Sequence, residues 1–318
     1  MAIVLNGLPV LASPLEQGVT QMRSGGETQK AIDYFSQAVQ QTPNLARVRI
    51  LRGSLYLRQQ NLDDAIKDFS EAIRLEPKNS ELLVDRGVAY MQPGQDNALA
   101  LADFQSAVAL EPNNPNYQYL LGLALAANED YEKAIEAFTI ALQLQPDDVQ
   151  SMVSRGDARR SVKDFIGALS DYTAALSLTP NSADLLVRSG IAHTGLKANT
   201  LAMADFAQAL RHDPKVPDVY LHRGNLRLWN LRDLSGAIRD YNLGIKQNPN
   251  CASCFLGRGQ AYRVGGNLLR ADQDWERAAA LFQEQGNMVG IQKVVEALRQ
   301  LSVDDRHRWG GGRRSRRR

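Results

Sequence analysis

Apolar residues along this chain recur at helical spacing in two short runs, separated by a polar break, and then the whole arrangement begins again. In residues 114–146 the first run is Tyr119, Leu120, Leu123 and Ala124, and the second is Ala134, Ile135, Phe138 and Leu142. Positions three and four apart share one helical face, so each run predicts an amphipathic helix. Asn128-Glu129-Asp130 lies between them, and the unit reads helix A, turn, helix B. Proline closes it and is followed by Asn or Asp at Pro43-Asn44, Pro112-Asn113, Pro146-Asp147 and Pro180-Asn181. Proline cannot continue a helix, and Asn or Asp suits a turn or the cap of the next one.

The unit is written eight times, with a period of 34 or 35 residues. Ala31, Ala65, Ala100, Ala134, Ala168, Ala202, Ala237 and Ala271 keep the beat, each followed four residues later by an aromatic: Phe35, Phe69, Phe104, Phe138, Tyr172, Phe206, Tyr241 and Trp275. Glycine recurs in helix A from Gly53 to Gly259. A mid-helix glycine costs about 1 kcal/mol relative to alanine, so its repetition predicts a packing reason. The expectation is that Gly faces Ala where helices A and B approach, while the aromatic fills the gap between neighbouring repeats. Periods of this length mark solenoids, in which no unit buries its apolar face alone. The third and seventh units are one residue longer between the Gly and the Ala, which predicts an insertion in the A–B turn.

The segments Arg-Gly-Val-Ala-Tyr (86–90), Asp-Tyr-Glu-Lys-Ala-Ile-Glu-Ala-Phe (130–138) and Leu-Glu-Pro-Asn-Asn (110–114) resemble the tetratricopeptide repeat, TPR. The resemblance covers about residues 13–283 and implies an all-α, right-handed superhelix of about eight helix-turn-helix repeats with a C-terminal capping helix. The units divide near 13–45, 46–79, 80–114, 115–148, 149–182, 183–216, 217–251 and 252–285, with the cap at 286–303. The large aromatic of the family early in helix A is mostly missing: Arg49, Leu83, Gln118 and Met152 stand there. Residues 274–287 look like the ends of many cyanobacterial TPR proteins.

The resemblance implies that the A helices line an inner groove. Three residues before each Gly stand Ile50, Val84, Tyr119, Val153, Val187, Leu221 and Leu256; just after it stand Ser54, Val88, Leu123, Asp157, Ile191, Asn225 and Gln260, with Arg58 among the flanking charges. These positions are expected either to pack adjacent A helices or to floor a groove for a partner segment with apolar anchors. Chaperone-binding relatives grip a terminal carboxylate with Lys at the first site and Asn at the second. Only Asn225 matches, without its Lys, so a chaperone C-terminal carboxylate is not the expected ligand. The expected function is that of a non-catalytic scaffold or adaptor, with complex assembly, photosynthetic or other, as one setting.

Comparison among repeats also predicts a pairing. Arg precedes the Gly at Arg52, Arg86, Arg155, Arg223 and Arg258, and those units carry Asp before the helix B aromatic: Asp68, Asp103, Asp171, Asp240 and Asp274. The fourth unit has Leu121 and Ala137, losing both together; the sixth has Ser189 with Asp205. An Arg–Asp bridge within each repeat follows, contributing about 0–1 kcal/mol if exposed.

Charge alters the picture only at the end. The net charge of +2 hides seven arginines in residues 306–318; without them 30 basic face 35 acidic residues. Gly310-Gly311-Gly312 precedes Arg313, Arg314, Arg316, Arg317 and Arg318. A run of this kind, reckoned from residue 304, is expected to be disordered, solvated or holding nucleic acid or an acidic membrane. Residues 1–12 are apolar without a positive start, which favours a cytoplasmic protein over an exported or membrane-associated one whose signal is truncated. Ser13-Pro14-Leu15-Glu16 reads as a helix start with a capping box. Cys251 and Cys254, at the start of the eighth helix A, read as small apolar residues or a redox pair. His193 occupies the site of Tyr56, Tyr90 and Tyr262 and reads as packing. No phosphate loop, dinucleotide fingerprint or metal-ligand spacing occurs, so neither cofactor nor catalysis is expected. Oligomeric state is left open.

Overall fold

The computed structural model describes residues 12–216 and 218–310, with side chains to residue 299. Every regular element among them is helical. The chain forms two compact units, parted after Val162. The first unit holds α1 (Pro14–Arg23), α2 (Thr28–Gln41), α3 (Ala46–Arg58), α4 (Leu62–Leu75), α5 (Ser80–Tyr90), α6 (Asn97–Leu110), α7 (Pro115–Ala127), α8 (Tyr131–Leu144) and α9 (Val149–Ser161). The second holds α10 (Phe165–Leu178), α11 (Ala183–Gly195), α12 (Asn199–His212), α13 (Val219–Asn225), α14 (Leu234–Gln247), α15 (Ala252–Val264), α16 (Leu268–Glu284) and α17 (Met288–Gly310). Odd-numbered helices up to α15 are A helices and even-numbered ones are B. Within each unit every helix packs on the next, and A helices also touch one repeat apart, as in α3 with α5 and α13 with α15. This is the nearest-neighbour packing of a helical repeat array.

The chain starts as its sequence predicts. Ser13 caps α1: its Oγ accepts from the Glu16 amide while Glu16 accepts from the Ser13 amide at 2.8 Å, with Pro14 in the first turn. Six A–B turns place a non-glycine or glycine residue in the left-handed region directly before the B-helix cap: Gln60, Glu129, Lys163, Lys197, Arg232 and Gly266. In four of these turns the capping residue accepts from a first-turn amide, as Asp130, Asp164, Asp233 and Asn267 do; Asn61 makes no such bond and Ala198 has no side-chain acceptor.

Glycine has a different neighbour from the expected one. A methyl group on Gly122 would stand 2.5 Å from the Phe138 ring, and Gly87, Gly190, Gly224 and Gly259 face Phe104, Phe206, Tyr241 and Trp275 in the same way. The ring of helix B therefore lies against the helix A backbone of its own repeat, and it also packs on the next repeat as expected: Phe35 clusters with Val48 and Leu55, Phe138 with Ala158, and a methyl group on Gly257 would stand 2.6 Å from the Tyr241 ring. The alanines four residues earlier are buried beside it. The first repeat follows the rule too, through Gly18 against Phe35.

The extra residues of the third and seventh repeats are absorbed differently. In the third, α5 stops at Tyr90 and the chain turns through Pro93 and Gly94, because proline forbids the helix from running on. In the seventh no proline intervenes, and the residue widens the helix instead: α13 continues as a π-helical turn, Leu226–Asn230. The insertion expected in the turn thus sits in the helix, and the Arg232–Asp233 turn keeps the form of the others.

The capping helix α17 runs to Gly310, beyond the predicted end at 303 and into the stretch expected to be disordered from 304. No proline or glycine stands between Leu301 and Trp309, so nothing stops it sooner. Val294 and Ala297 of α17 close a core with Trp275, Leu281 and Phe282 of α16.

Candidate functional site

Beneath the A-helix surface the Arg–Asp pairing is a row of bidentate bridges. Arg52 reaches Asp68 at 2.7 Å through both Nε and Nη2; Arg86 reaches Asp103 at 2.9 and 2.7 Å; Arg223 reaches Asp240 at 3.0 and 2.6 Å; Arg258 reaches Asp274 at 2.8 and 2.7 Å. The bridges form within the repeat as expected, and these carboxylates are buried, Asp68 and Asp240 to 1% exposure, so they are not exposed pairs. The hydrogen bond to Asp raises the guanidinium pKa of Arg52, Arg86 and Arg258 despite partial burial. The remaining nitrogen carries a link that the sequence comparison missed. Nη1 donates to the preceding repeat: Arg52 to Ser36 at 3.1 Å, Arg86 to Ser70 at 3.0 Å, Arg155 to Thr139 at 3.1 Å and Arg258 to Asn242 at 2.6 Å. One arginine thus ties helices A and B of its own repeat and the B helix before it.

The sixth repeat explains its own exception. Ser189 Oγ donates to Asp205 at 2.8 Å and His193 Nδ1 lies 2.7 Å from the same oxygen. Serine and histidine together replace the arginine, so His193 has a polar partner and is more than packing.

The predicted groove positions divide by exposure. In the first unit Ile50, Val84, Val88, Tyr119, Leu123 and Val153 are half-buried, and Arg58 is exposed at the end of α3. Tyr119 leans on the Phe138 ring at 5.9 Å. Ser54 donates back to the Ile50 carbonyl, and Asp157 stands 3.6 Å from Arg160. In the second unit Val187 is buried with Leu186 and Phe206, while Ile191 packs at the edge of that cluster.

Four of the named positions meet in one cleft. Leu221, Asn225, Leu256 and Gln260 line a cavity of about 380 Å³ with Trp229, Phe282, Val289 and Lys293. Asn225 Oδ1 accepts from the Tyr241 hydroxyl at 2.7 Å, which fixes the amide on the cleft floor. Trp229 sits on the π-helical turn and is 43% exposed. A second cavity of about 310 Å³ adjoins, sharing Trp229, Gln260 and Lys293. Trp229, Val289 and Lys293 were not singled out by the repeat pattern; the one-residue insertion after Gly224 was the available signal for the first. No group of three or more His, Cys, Asp or Glu fit to hold a metal occurs among the described residues, and no helix there is long and apolar enough to cross a membrane. Arg313, Arg314, Arg316, Arg317 and Arg318 lie outside the described residues.

Against known proteins, residues 46–79 and 84–149 match tetratricopeptide repeat family models. Tetratricopeptide repeats are therefore present at these residues, and the described helices before and after them continue the same helix-turn-helix pattern. A tetratricopeptide repeat protein from Parabacteroides merdae is similar over 78% of this chain and 97% of its own, at 18% identity and a TM-score of 0.62. Yeast Tom70 is similar over 96% of this chain and 67% of its own, at 14% identity and 0.58. The APC/C hetero-tetramer Cut9-Hcn1 contributes a chain similar over 89% of this one and 55% of its own, at 15% identity and 0.59. At these identities the likeness is one of fold. Such repeats are typically non-catalytic and bind other proteins.

Proposed function

We propose that this protein is a non-catalytic scaffold that docks a segment of a partner protein on its A-helix surface, with the Trp229 cleft of the second unit as the principal seat. The observation that carries this reading is the cleft itself: an exposed tryptophan beside Leu221, Leu256 and Val289, with Asn225 and Gln260 to fix orientation. Aromatic anchors in such pockets dominate interface energies. A segment with a large apolar side chain fits, and Lys293 at the rim favours an acidic residue next to it. Within the first unit, the half-buried Ile50, Val84, Val88 and Tyr119 are proposed as an apolar surface of its own. Complex assembly is consistent with the Cut9-Hcn1 likeness. A cytoplasmic location is part of this proposal.

Affinity capture with the intact protein, Trp229→Ala, Leu256→Glu and Tyr119→Glu tests this. Loss of a partner with the cleft variants, and its retention after deletion of residues 311–318, supports groove docking. Trp229→Ala is expected to weaken binding by about 2 kcal/mol, roughly thirtyfold. If deletion of the arginines instead abolishes binding, steeply with salt, the protein is a factor tethered to nucleic acid or an acidic membrane.

A further inference from the structure

We propose that Cys251 and Cys254 form a thiol–disulfide exchange site, taking electrons from a dithiol whose two sulfurs can close to an unstrained cyclic disulfide, independently of what the groove binds. The two sulfurs are bonded to each other, across a loop too short for the bond to restrain much of the unfolded chain. A structural staple is therefore a weak account of it. Its surroundings are built for it. Cys251 takes the N-cap place of α15, held by Asn79, Asn114, Asp148 and Ser182 in other repeats. Its Sγ lies 3.2 Å from the Cys254 amide. A thiolate there is stabilised by that N–H and by the helix terminus. Space for Cys254 is made by the repeat before. Three residues after each helix B aromatic stands alanine, except at Gly244; a methyl group there would stand 2.9 Å from Cys254 Sγ.

A cavity of about 220 Å³ leads to the pair, lined by both cysteines with Lys215, Asp218, Tyr220 and Leu221 among others. Cys251 is 8% exposed and Cys254 2%, so an incoming thiolate meets Cys251 first. It attacks Cys251 Sγ; the bond between the cysteines breaks, and its electron pair leaves on Cys254, which takes a proton. The second thiolate of the substrate then attacks the substrate sulfur bound to Cys251. Cys251 departs as a thiolate accepting the Cys254 N–H, and the substrate is released as a disulfide. Two electrons pass from the dithiol to the protein. Of the two protons the dithiol sheds, one ends on Cys254 and one in solvent.

The test uses the folded, full-length protein with dithiothreitol, followed by alkylation and mass analysis with and without denaturant. Both cysteines are expected to be labelled after reduction without denaturant, and protected again on reoxidation. Trapping then assigns the order: glutathione disulfide should form an adduct with Cys254→Ser, through Cys251, at least tenfold faster than with Cys251→Ser. Both variants have precedents in the fold, since Ser151 occupies the register of Cys254 and Ser182 that of Cys251. Labelling that requires denaturant, thiols that never reoxidise, or equal or absent adducts in the two variants would overturn the proposal.

Discussion

A buried carboxylate is tolerable only with its charge met, and four repeats meet it with the two-pronged guanidinium of an arginine. The fourth repeat shows the alternative, Leu121 with Ala137, in which neither charge is present. This gives a prediction for Arg86 and Asp103. Arg86→Leu alone strands a buried carboxylate and should cost about 3–5 kcal/mol in denaturant unfolding. Adding Asp103→Ala to it should recover most of that loss, as the fourth repeat implies; a double variant no better than the single would show the pair is not the source. A second prediction concerns Asp85. Burial, with Glu81 one turn earlier, holds its carboxyl above the usual range. An acid whose pKa is raised by folding favours the fold while protonated, and that advantage is lost as pH rises through the raised value. Asp85→Asn should therefore be more stable than the parent at neutral pH. The gain should vanish as pH falls towards about 4, the ordinary Asp value. Urea midpoints of the two proteins across that range measure it.

An element repeated eight times records its contacts eight times, which is why much of this fold was legible from one sequence. The Gly and aromatic register, the helix-turn-helix unit, the Ser13 cap and the Arg–Asp pairing all recur or follow a local rule, so each repeat checks the others. The partner of the glycine was misjudged because Ala and the aromatic keep the same period, and periodicity alone does not say which one touches it. What occurs once was hidden. The π-helical turn, the Ser189–His193 substitute and the run of α17 past residue 303 have no second copy to compare with, and the spacing of Cys251 and Cys254 allowed a bond without deciding it. Trp229 escaped for the same reason: the insertion was visible, but twelve residues lie between Gly224 and Ala237, and the site of the widened turn within them follows from the lack of a proline. Two predictions belong at this scale. Gly122→Ala sets a methyl group 2.5 Å from the Phe138 ring, and overpacking of this kind costs about 1–3 kcal/mol, against roughly 1 kcal/mol gained in helix propensity; a net loss in unfolding free energy is expected. Deleting Leu231 should convert the π-helical turn to ordinary α-helix and move Trp229 off the cleft. Partner affinity should fall as far as in Trp229→Ala while the unfolding midpoint holds. Unchanged affinity would remove the cleft from the binding surface.

A repeat array has no centre, so its ends must be finished by something that does not need a further neighbour. In the second unit α17 does this for α16. Its inner side carries Val294 and Ala297 into the cluster of Trp275, Ala278, Leu281 and Phe282, with Ile291 and Leu298 at the margin. Gly290 admits the Phe282 ring at 2.4 Å from where its side chain would begin, repeating the glycine–aromatic contact of the repeats at the junction of α16 with α17. Gln292 and Arg299 of α17 are exposed, as are Lys293 and Glu296, which face the Trp229 cavities. Truncation after Gly286 removes this cover. Each large apolar side chain returned to water costs about 1.5–3 kcal/mol, and Leu281 and Phe282 lose their shield together. The truncated protein is expected to unfold at distinctly lower denaturant, to bind a hydrophobic dye and to self-associate, with the loss confined to the signals of Trp275 and the helices around it. Replacing Val294 alone by Asp in the full-length chain should reproduce most of the effect, because Val294 is 1% exposed and an aspartate there has no partner. If the truncated chain and Val294→Asp both keep the parent midpoint, α17 is a passenger on the array and the terminal repeat is closed by α16 alone.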